Sequence, residues 1–541
     1  MATATAGAGA HEGRGADKTR LVIIASSLGT VFEWYDFFIY GTLAAIVGRT
    51  FFPADNEVAQ LLLALAGFAV GFGVRPLGAV LFGYLGDKLG RKYTFLVTIT
   101  LMGLATAAIG IVPSAASIGV AAPIILIALR VLQGLALGGE YGGAAIYVAE
   151  HSPPGKAGFY TSFIQASVAG GFILSLAVVL TTQALVGDEN WQAWGWRIPF
   201  LFSLFLLAIS LWMRLKLSES PVFKEMKEQG ELARNPLKET FTYPGNWKRL
   251  ILALFGIAAG LTVIWYTAMF QVLYFLQQAL KVEEQTAQLL VGIGAASGLF
   301  WFVLFGWVSD KVGRKWPIVI GYVLTLVLLF PIFKVIGAAA NPGLAQAAER
   351  APVVVLGRDC DYSPFAKVQA NACGAALDLL TKRGVTYSTV EYLASEEMPG
   401  VTIGGVRVGA GEYPQAAELD AALTRAGYRL EKVRPTGSAV LVILACVLAL
   451  SALSGMTYGP VAALLAELFP PRIRYSSLSI PYHIGTGYFG GFLPVISQYM
   501  VARSGDPYNG LWYTTAVVAM ALLVTLVLLP NDLGRKAPAH A

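Results

Sequence analysis

Long apolar runs alternate with short polar segments along most of this chain. A helix needs about 20 apolar residues to cross a hydrocarbon core that is about 30 Å thick. About twelve runs meet this requirement, so each predicts a membrane-spanning helix. They cover approximately residues 20–48, 58–85, 93–112, 121–150, 158–186, 196–216, 249–280, 286–308, 316–337, 438–468, 476–503 and 511–530. The pattern predicts an all-α membrane protein of twelve transmembrane helices.

Composition supports this class. Hydrophobic residues make up 56% of the 541 positions and charged residues only 13%, and the mean hydropathy is +0.62. A chain of this length with so little polar surface would not stay in water, so a soluble globular protein is excluded.

Two short motifs each occur twice. DKLGRK at residues 87–92 returns as DKVGRK at 310–315, which is 223 residues later. AEHSPP at 149–154 returns as AELFPP at 466–471, which is 317 residues later. The first repeat indicates duplication of a six-helix unit, giving two pseudo-symmetric bundles. The larger second spacing places 94 additional residues between the motifs of the second half.

The apolar runs stop between about residues 337 and 434, where this surplus must lie. Residues 353–356 have the pattern of a short strand, 401–408 alternate loosely, and 416–426 have helical spacing. These patterns predict a small α/β module inserted between helices 9 and 10. Cys360 and Cys373 lie within it and could form a disulfide outside the cytoplasm.

Basic residues indicate orientation. They fall on one side of a twelve-helix arrangement, which by the positive-inside rule places both termini in the cytoplasm and the module outside. The net charge of +6 then follows from topology and gives no reason to expect nucleic acid as a partner. The bases are Lys18, Arg20, Lys88, Arg91, Lys92, Lys156, those within 214–249, Lys311, Arg314, Lys315, Arg472, Arg474, Arg535 and Lys536.

The predicted organisation has seven parts. They are a flexible cytoplasmic tail at 1–19, an N-terminal six-helix bundle at 20–216, a cytoplasmic linker at 217–248, helices 7–9 at 249–337, the inserted module at 338–437, helices 10–12 at 438–530, and a cytoplasmic tail at 531–541.

Acidic residues inside an apolar run are the first candidates for chemistry, because a charge at the centre of a membrane costs at least about 2.5 to 3.5 kcal/mol. Helical spacing puts Glu33, Asp36 and Tyr40 on one face of the first helix. Burial at a depth of about 18 Å favours the neutral acid, so either carboxyl could bind and release a proton near neutral pH. Alternatively, both acids are permanently ion-paired and serve only packing.

Two arginines inside apolar runs are candidate functional residues for the same reason, the cost of a charge within the membrane. Arg75 is expected near the membrane midplane, and Arg130 lies within the fourth helix. Each must find a carboxylate, either from the protein, with Arg130 pairing to Glu33 or Asp36, or from a substrate. The other candidate cavity residues are Gln133, Glu140, Tyr141, Trp265, Tyr266, Gln271, Tyr458, Tyr482 and His483.

Several motifs resemble one protein family, the major facilitator superfamily, and more narrowly its metabolite:proton symporters. The two DKxGRK loops and RVLQG at 130–134 resemble the superfamily signatures. The narrower similarity rests on FEWYDFFIYG (32–41), RPLGAVLFGYLGD (75–87), LQGLALGGEYGGA (132–144), WGWRIPF (194–200), LSESPVF (217–223) and RYSSLSIPYHIGTGYFGG (474–491). That branch includes carriers of shikimate, 2-oxoglutarate, citrate, and proline or betaine.

The resemblance implies two bundles around a central cavity, with alternating access by rocking of the halves. It also implies cytoplasmic charge networks that hold the outward-facing state, formed by Asp87, Arg91, Glu150, Asp310, Arg314 and Glu467. The inserted module departs from the family pattern and could bind an external partner.

The expected function is uptake of a small organic metabolite, a carboxylate, coupled to proton entry. Glu33, Asp36 and Arg130 would couple the proton, which is the only coupling ion expected, with no cofactor or metal, and Arg75 would attract the anion. We expect a monomer in the inner cell membrane. The alternatives are a proton-antiporting exporter and a transporter-like sensor that uses the module. An enzyme is not expected, because no phosphate loop or metal cluster is evident and Cys360 and Cys373 have no nearby histidine.

Overall fold

The computed structural model of the protein describes residues 27–52, 57–89, 91–139, 142, 145–146, 148–149, 152–215, 236–358, 360–366, 368–391, 399–409, 411–470, 473–531 and 533–534. Glu140, Tyr141 and Glu150, which the sequence selects as site residues, lie outside the described residues. The side chains of Asp87 and Arg91 do so as well.

The first half of the chain is helical throughout its described part. Its helices are α1 (27–42), α2 (Ala44–Phe51), α3 (Glu57–Gly73), α4 (Arg75–Leu89), α5 (Arg91–Ile111), α6 (Ala115–Ile118), α7 (Ala121–Leu137), α8 (Ala157–Val186), α9 (Asp188–Asn190) and α10 (Arg197–Leu215), with a π-helical turn at Trp191–Gly195.

The second half adds a four-stranded sheet. Its elements are α11 (Pro236–Thr242), α12 (Asn246–Ile251), α13 (Ala259–Tyr266), α14 (Val272–Tyr274), α15 (Glu284–Val312), α16 (Lys315–Ala340), α17 (Pro342–Arg350), β1 (Val353–Leu356), α18 (Ala372–Arg383), β2 (Tyr387–Val390), β3 (Gly400–Ile403), β4 (Val406–Val408), α19 (Ala416–Arg425), α20 (Ser438–Tyr458), α21 (Val461–Leu468), α22 (Arg474–Ile484), α23 (Leu493–Ser504) and α24 (Leu511–Leu528). π-Helical segments lie at Leu252–Ala258, Thr267–Gln271, Phe275–Ala279 and Gly485–Gly491.

Seven helical spans in the described residues are long and apolar enough to cross a membrane, and an eighth is formed if the pair Asp188–Gly195 and Arg197–Met213, bent by 65°, is one span. The seven are Glu57–Phe82, Ala157–Val186, Asn246–Ala279, Glu284–Val312, Lys315–Ala340, Ser438–Leu468 and Leu511–Leu528. Leu96–Ile111 and Ala121–Leu137 are apolar but shorter. The protein is thus a membrane protein with several spanning helices, and the count of twelve stays a prediction.

Large apolar side chains point away from the helical core. Ile111 is 70% exposed, Trp212 60% and Val527 79%. Such a surface is unfavourable in water but suits lipid chains.

Helices α8 and α15 come into close contact where two glycines meet. A Cβ atom at Gly306 would lie 2.5 Å from the carbonyl oxygen of Gly158. Small residues at a crossing let two backbones approach and pack without voids. This crossing joins the two halves of the chain.

Residues 341–434 form a compact α/β unit with its own apolar core. The strand order is β2-β1-β3-β4, with β1 parallel to β2 and antiparallel to β3, which is antiparallel to β4. Val355, Leu380 and Leu419 are fully buried between sheet and helices. The loosely alternating segment 401–408 is a hairpin, because Gly404 and Gly405 adopt positive φ values of 59° and 78° at its turn. Cys360 and Cys373 are joined as a disulfide, with Cα atoms 5.1 Å apart.

The α/β unit is attached to the second half. Arg503 at the end of α23 forms a 2.6 Å ion pair with Asp361 of the unit, and Phe365 stacks on Tyr499. At the other side of the unit, the Asn341 side chain donates to the carbonyl oxygen of Leu280 at 3.2 Å. These contacts hold the unit over the ends of the membrane helices.

Thiol counting tests the disulfide and its compartment. Protein purified without reductant and then denatured should react with one maleimide, at Cys446, and with three after reduction, because the protein has three cysteines. A Cys446→Ser variant should show no reaction before reduction, as measured by mass spectrometry. Three reactive thiols in the unreduced wild-type protein would show that the bond does not form where the protein matures.

Candidate functional site

Asp36 lies at the centre of a buried polar cluster in the first half. Its side chain is 5% exposed and accepts a hydrogen bond from the hydroxyl of Ser203 on α10. The Asp36 backbone carbonyl accepts weak bonds of 3.4 Å from Thr106 and Gln133. The Gln133 amide also donates to the Thr106 hydroxyl at 2.6 Å. Three helices around α1 therefore hold Asp36, α10 through its carboxyl group and α5 and α7 through its backbone carbonyl.

Arg130 joins the same cluster through Gln133. Its guanidinium donates to the Gln133 side-chain oxygen at 2.6 Å and lies over the rings of Phe37, Tyr40 and Phe68 at 4.2, 4.4 and 5.4 Å. Within the described residues it forms no ion pair with an acid. The expectation that Arg130 pairs directly with Glu33 or Asp36 is therefore corrected. Gln133, one turn further along α7, occupies the position of the acid, and aromatic faces stabilise the cation.

Glu33 and Asp36 line one very small cavity of about 10 Å³, room for about one water molecule. The cavity lies between α1, α5 and α10, with Ile99, Leu206 and Ser210 among its other lining residues. Helical spacing places both acids on one side of α1, as the sequence predicts. A narrow space beside two buried carboxyls can admit water, and water can carry protons.

Arg75 lies where the two halves meet. It is 1% exposed, donates to the Thr486 hydroxyl of the second half at 3.2 Å, and lies over Trp34 of the first half at 5.1 Å and Tyr482 of the second at 5.9 Å. Its Nε has no hydrogen-bond partner in the part of the chain described. A buried cation with donor capacity unused is suited to an anion.

The second half contributes aromatic residues to this interface. Trp265 stacks on Phe38 at 5.1 Å and Tyr266 packs edge-on against Phe72 at 5.6 Å. The Tyr458 and Tyr482 hydroxyls are 3.1 Å apart, and His483 lies beside Tyr482.

Gln271 does not join the other predicted site residues. Its side-chain oxygen accepts from Gln498 at 3.1 Å, and it lines a separate cavity beneath the α/β unit. The predicted substrate-binding residues therefore lie in two places, with Gln271 apart from the others.

The two halves are in direct contact at several points. The Tyr274 hydroxyl donates to the Gly41 carbonyl at 2.9 Å, and that of Tyr488 to Gly73 at 3.0 Å. A Cβ atom at Gly487 would lie 2.8 Å from the Phe72 carbonyl oxygen. No open passage can exist where backbones are this close.

One predicted gating network is assembled in the second half. Arg314 bridges Asp310 and Glu467 with two ion pairs of 2.7 Å. The Asp310 carboxylate also accepts from the backbone N–H groups of Gly158 and Phe159 at 2.8 Å. It therefore caps the first turn of α8, where a negative charge is favourable. This cap joins the two halves at the face opposite the α/β unit.

Sequence reasoning missed the hydroxyl partners. Thr106, Ser203 and Thr486 are almost completely buried and bond to Asp36, Gln133 or Arg75. The only sequence signal for them is a small polar residue in an apolar run. Such residues are also common where the hydroxyl only donates to a backbone carbonyl of its own helix.

Comparison with known proteins identifies the family. The family model for sugar (and other) transporters matches residues 21–246. The chain is 38% identical to the shikimate transporter of Escherichia coli K12 over 325 residues, covering 59% of this chain and 73% of that protein. A putative metabolite transport protein of Haemophilus influenzae is 30% identical over 479 residues, covering 86% of each chain. The chain belongs to the metabolite transporters of the major facilitator superfamily.

Other similarities are narrower. A proline/betaine transporter of Salmonella typhimurium LT2 is 38% identical over 330 residues, which cover 59% of this chain and 65% of that protein, less than two thirds of its length. A solved D-xylose–proton symporter shares the fold, with a TM-score of 0.60 at 17% identity, covering 96% of this chain and 100% of that one. The relatives are named as transporters and not as enzymes.

Close packing of the halves in this protein predicts the effect of added volume. A Gly491→Ala substitution would place a methyl group into the Phe72 side chain, whereas the Cβ of Gly73→Ala would meet Phe492 at an ordinary 3.5 Å. Overpacking of this kind costs about 1 to 3 kcal/mol. We expect thermal unfolding of the purified protein to shift several degrees lower for Gly491→Ala only. Equal shifts for both variants would show that the contact is not tight.

Proposed function

We propose that this protein is a proton-coupled secondary transporter that imports a small organic carboxylate by alternating access. The observation that carries the proposal is Asp36 on α1. Its buried carboxyl accepts a hydrogen bond from Ser203, and its backbone carbonyl accepts from Thr106 and Gln133. A charge there is costly unless it is compensated, so binding a proton is the simplest way for this group to change state.

Proton coupling is supported by the surroundings of Asp36. Protonation would neutralise the acceptor of Ser203 and weaken a bond between α1 and α10, because a hydrogen bond to an ionised acceptor is roughly twice as strong as a neutral one. Glu33 lines the same cavity and would pass the proton to or from Asp36. Arg130 would respond through Gln133.

A carboxylate substrate is supported by Arg75. Its guanidinium contacts both halves, so an anion bound there would be held at the centre of the transporter. Proline, betaine and shikimate, which appear in the names of relatives, each carry a carboxylate. Tyr40, Gln133, Trp265, Tyr266, Tyr458, Tyr482 and His483 would complete the central site, with Glu140 and Tyr141 as further candidates.

Alternating access is supported by the contacts between the halves. Rocking would break the Asp310 cap on α8 when the opposite side closes. Arg314 and Glu467 would hold Asp310 in place. Asp87, Arg91 and Glu150 would form the equivalent network of the first half, as the repeated motifs suggest.

The same proposal includes topology. Twelve spanning helices would form two six-helix bundles in the inner cell membrane, with both termini in the cytoplasm. The α/β unit would be an extracytoplasmic insertion between helices 9 and 10, and the disulfide within it fits that compartment. The transporter would act as a monomer.

Asp36→Asn tests the coupling. In proteoliposomes with a proton gradient, accumulation of substrate should fall to equilibration, because the amide cannot release a proton, while exchange of labelled for unlabelled substrate continues. Glu189→Gln, which changes an exposed acid of the same half, serves as the control and should accumulate normally. Proton-driven accumulation at the wild-type level in Asp36→Asn would contradict the assignment.

Matched ligand pairs test the substrate class. A carboxylate that binds the folded protein should raise its unfolding temperature. At a ligand concentration one hundred times the dissociation constant, the free energy of unfolding should increase by about 2.7 kcal/mol. Its carboxamide counterpart should not. Arg75→Gln should remove the effect and Arg75→Lys should restore part of it. An equal response to acid and amide would refute the carboxylate proposal and leave proton coupling untouched.

A further inference from the structure

A second cavity, of about 110 Å³, lies between the α/β unit and the ends of the membrane helices. Its walls come from α3 of the first half, from α23 and the segment before α15 in the second half, and from the end of α18 in the α/β unit. Leu61, Leu62 and Val501 are among its apolar lining residues. The cavity is therefore bounded by all three parts of the molecule.

Lys281 is the most unusual residue of this cavity. It is the one non-glycine residue in the described ranges with a positive φ, 57°, a conformation that costs a bulky residue about 1 to 2 kcal/mol. Its Nζ packs against Gly384 at the end of α18. No acid lies within ion-pair distance of it among the residues that the structure describes. Glu57 attracts it only from further away, and burial lowers the pKa of Lys281.

Lys382, the other lysine that lines the cavity, is paired with an acid. Lys382 forms a 2.6 Å ion pair with Asp378, so its charge is already compensated. Glu57 also lines the cavity but forms no ion pair with Lys281. Among the described lining residues, Lys281 is consequently the cation that is available to a bound anion.

Gln271 supplies a second donor. Its side chain is 1% exposed and lines the cavity. The side-chain oxygen accepts from Gln498, but the amide nitrogen has no hydrogen-bond partner among the described residues. A buried donor without an acceptor costs about 1 to 3 kcal/mol, which a ligand oxygen would recover.

We propose that this cavity is a second solute-binding site, for a small organic carboxylate, separate from the central site at Arg75. Lys281 pairs with the carboxylate, Gln271 donates an N–H to the solute, and Leu61, Leu62 and Val501 contact its apolar part. The choice of a carboxylate rests on the proposed function in one respect: the second site and the central site would bind the same solute. The geometry of Lys281 and Gln271 is independent of proton coupling.

A purely structural role for Lys281 makes a different prediction. Its ammonium lies near the C-terminus of α18, where a positive charge is favourable by about 0.3 to 1 kcal/mol. Under that alternative, loss of the charge would lower stability equally with and without solute and would leave solute affinity unchanged.

Substitutions at Lys281 separate the two roles. Lys281→Asn removes the charge with a residue that tolerates positive φ, and Lys281→Arg keeps it. Lys382→Gln removes a charge from the same cavity and is the matched control. The full-length purified protein is titrated calorimetrically with acetate, shikimate, 2-oxoglutarate, citrate and proline, and uptake is measured from each face in oriented vesicles.

We expect Lys281→Asn to weaken binding of at least one carboxylate about tenfold or more, as loss of a charged hydrogen bond does. The KM for uptake from the face that carries the α/β unit should rise similarly, with kcat and the KM from the other face little changed. Lys281→Arg and Lys382→Gln should behave like the wild type.

The remaining outcomes are also decisive. Binding that is unchanged in Lys281→Asn, or no binding of any of these carboxylates at millimolar concentration, would overturn the second site even if transport is normal. Lys281-dependent binding without proton-driven transport of any probe would support the second site and refute the proposed function.

Discussion

A charge inside the hydrocarbon core of a membrane cannot be hydrated by bulk water, and the central region of this protein is arranged around that constraint. Asp36 is compensated by a hydroxyl, and Arg130 by an amide and three aromatic faces. Both charged groups are therefore stabilised by neutral partners and not by an opposite charge. A carboxyl held by neutral groups can bind a proton without leaving a buried cation unpaired, which a permanent ion pair would not allow.

Helix α1 connects this cluster with the contact between the halves. Asp36 faces its own half, where Ser203 and Gln133 bond to it. Two residues further along, Phe38 packs against Trp265 and Phe270 of the second half. A helix is stiff over two residues, so any shift of α1 that accompanies a change at Asp36 must also move the ring at the interface. The chemistry and the closure of the halves share one rigid element.

Much of the architecture could be predicted from sequence because it depends on patterns that survive in one dimension. Apolar runs predict the membrane helices, the doubled motifs predict two halves, and the offset between motifs predicts a surplus of 94 residues, which the gap in apolar runs places between about 337 and 434. The acids of α1 stand out as charges in an apolar run. The partners could not be predicted, because Thr106 and Ser203 become important only when α5 and α10 pack against α1. The placement of Gln133 between Arg130 and Asp36 could not be predicted either, since the sequence offered Glu33 and Asp36 equally as partners for Arg130.

The α/β unit is bonded to the second half, and its helix α18 also approaches α3 of the first half beside the cavity. Its ion pair to Arg503 and its hydrogen bond to the Leu280 carbonyl both involve the second half, and it faces the first half at the beginning of α3 across the space that Lys281 lines. A unit attached to both halves would resist rocking, whereas one attached to a single half moves with it. If the halves rock as proposed, the distance between α3 and the unit should change. Under the proposed rocking, the cavity at Lys281 would change shape with the conformation of the membrane helices, because its walls come from α3, the unit and the second half.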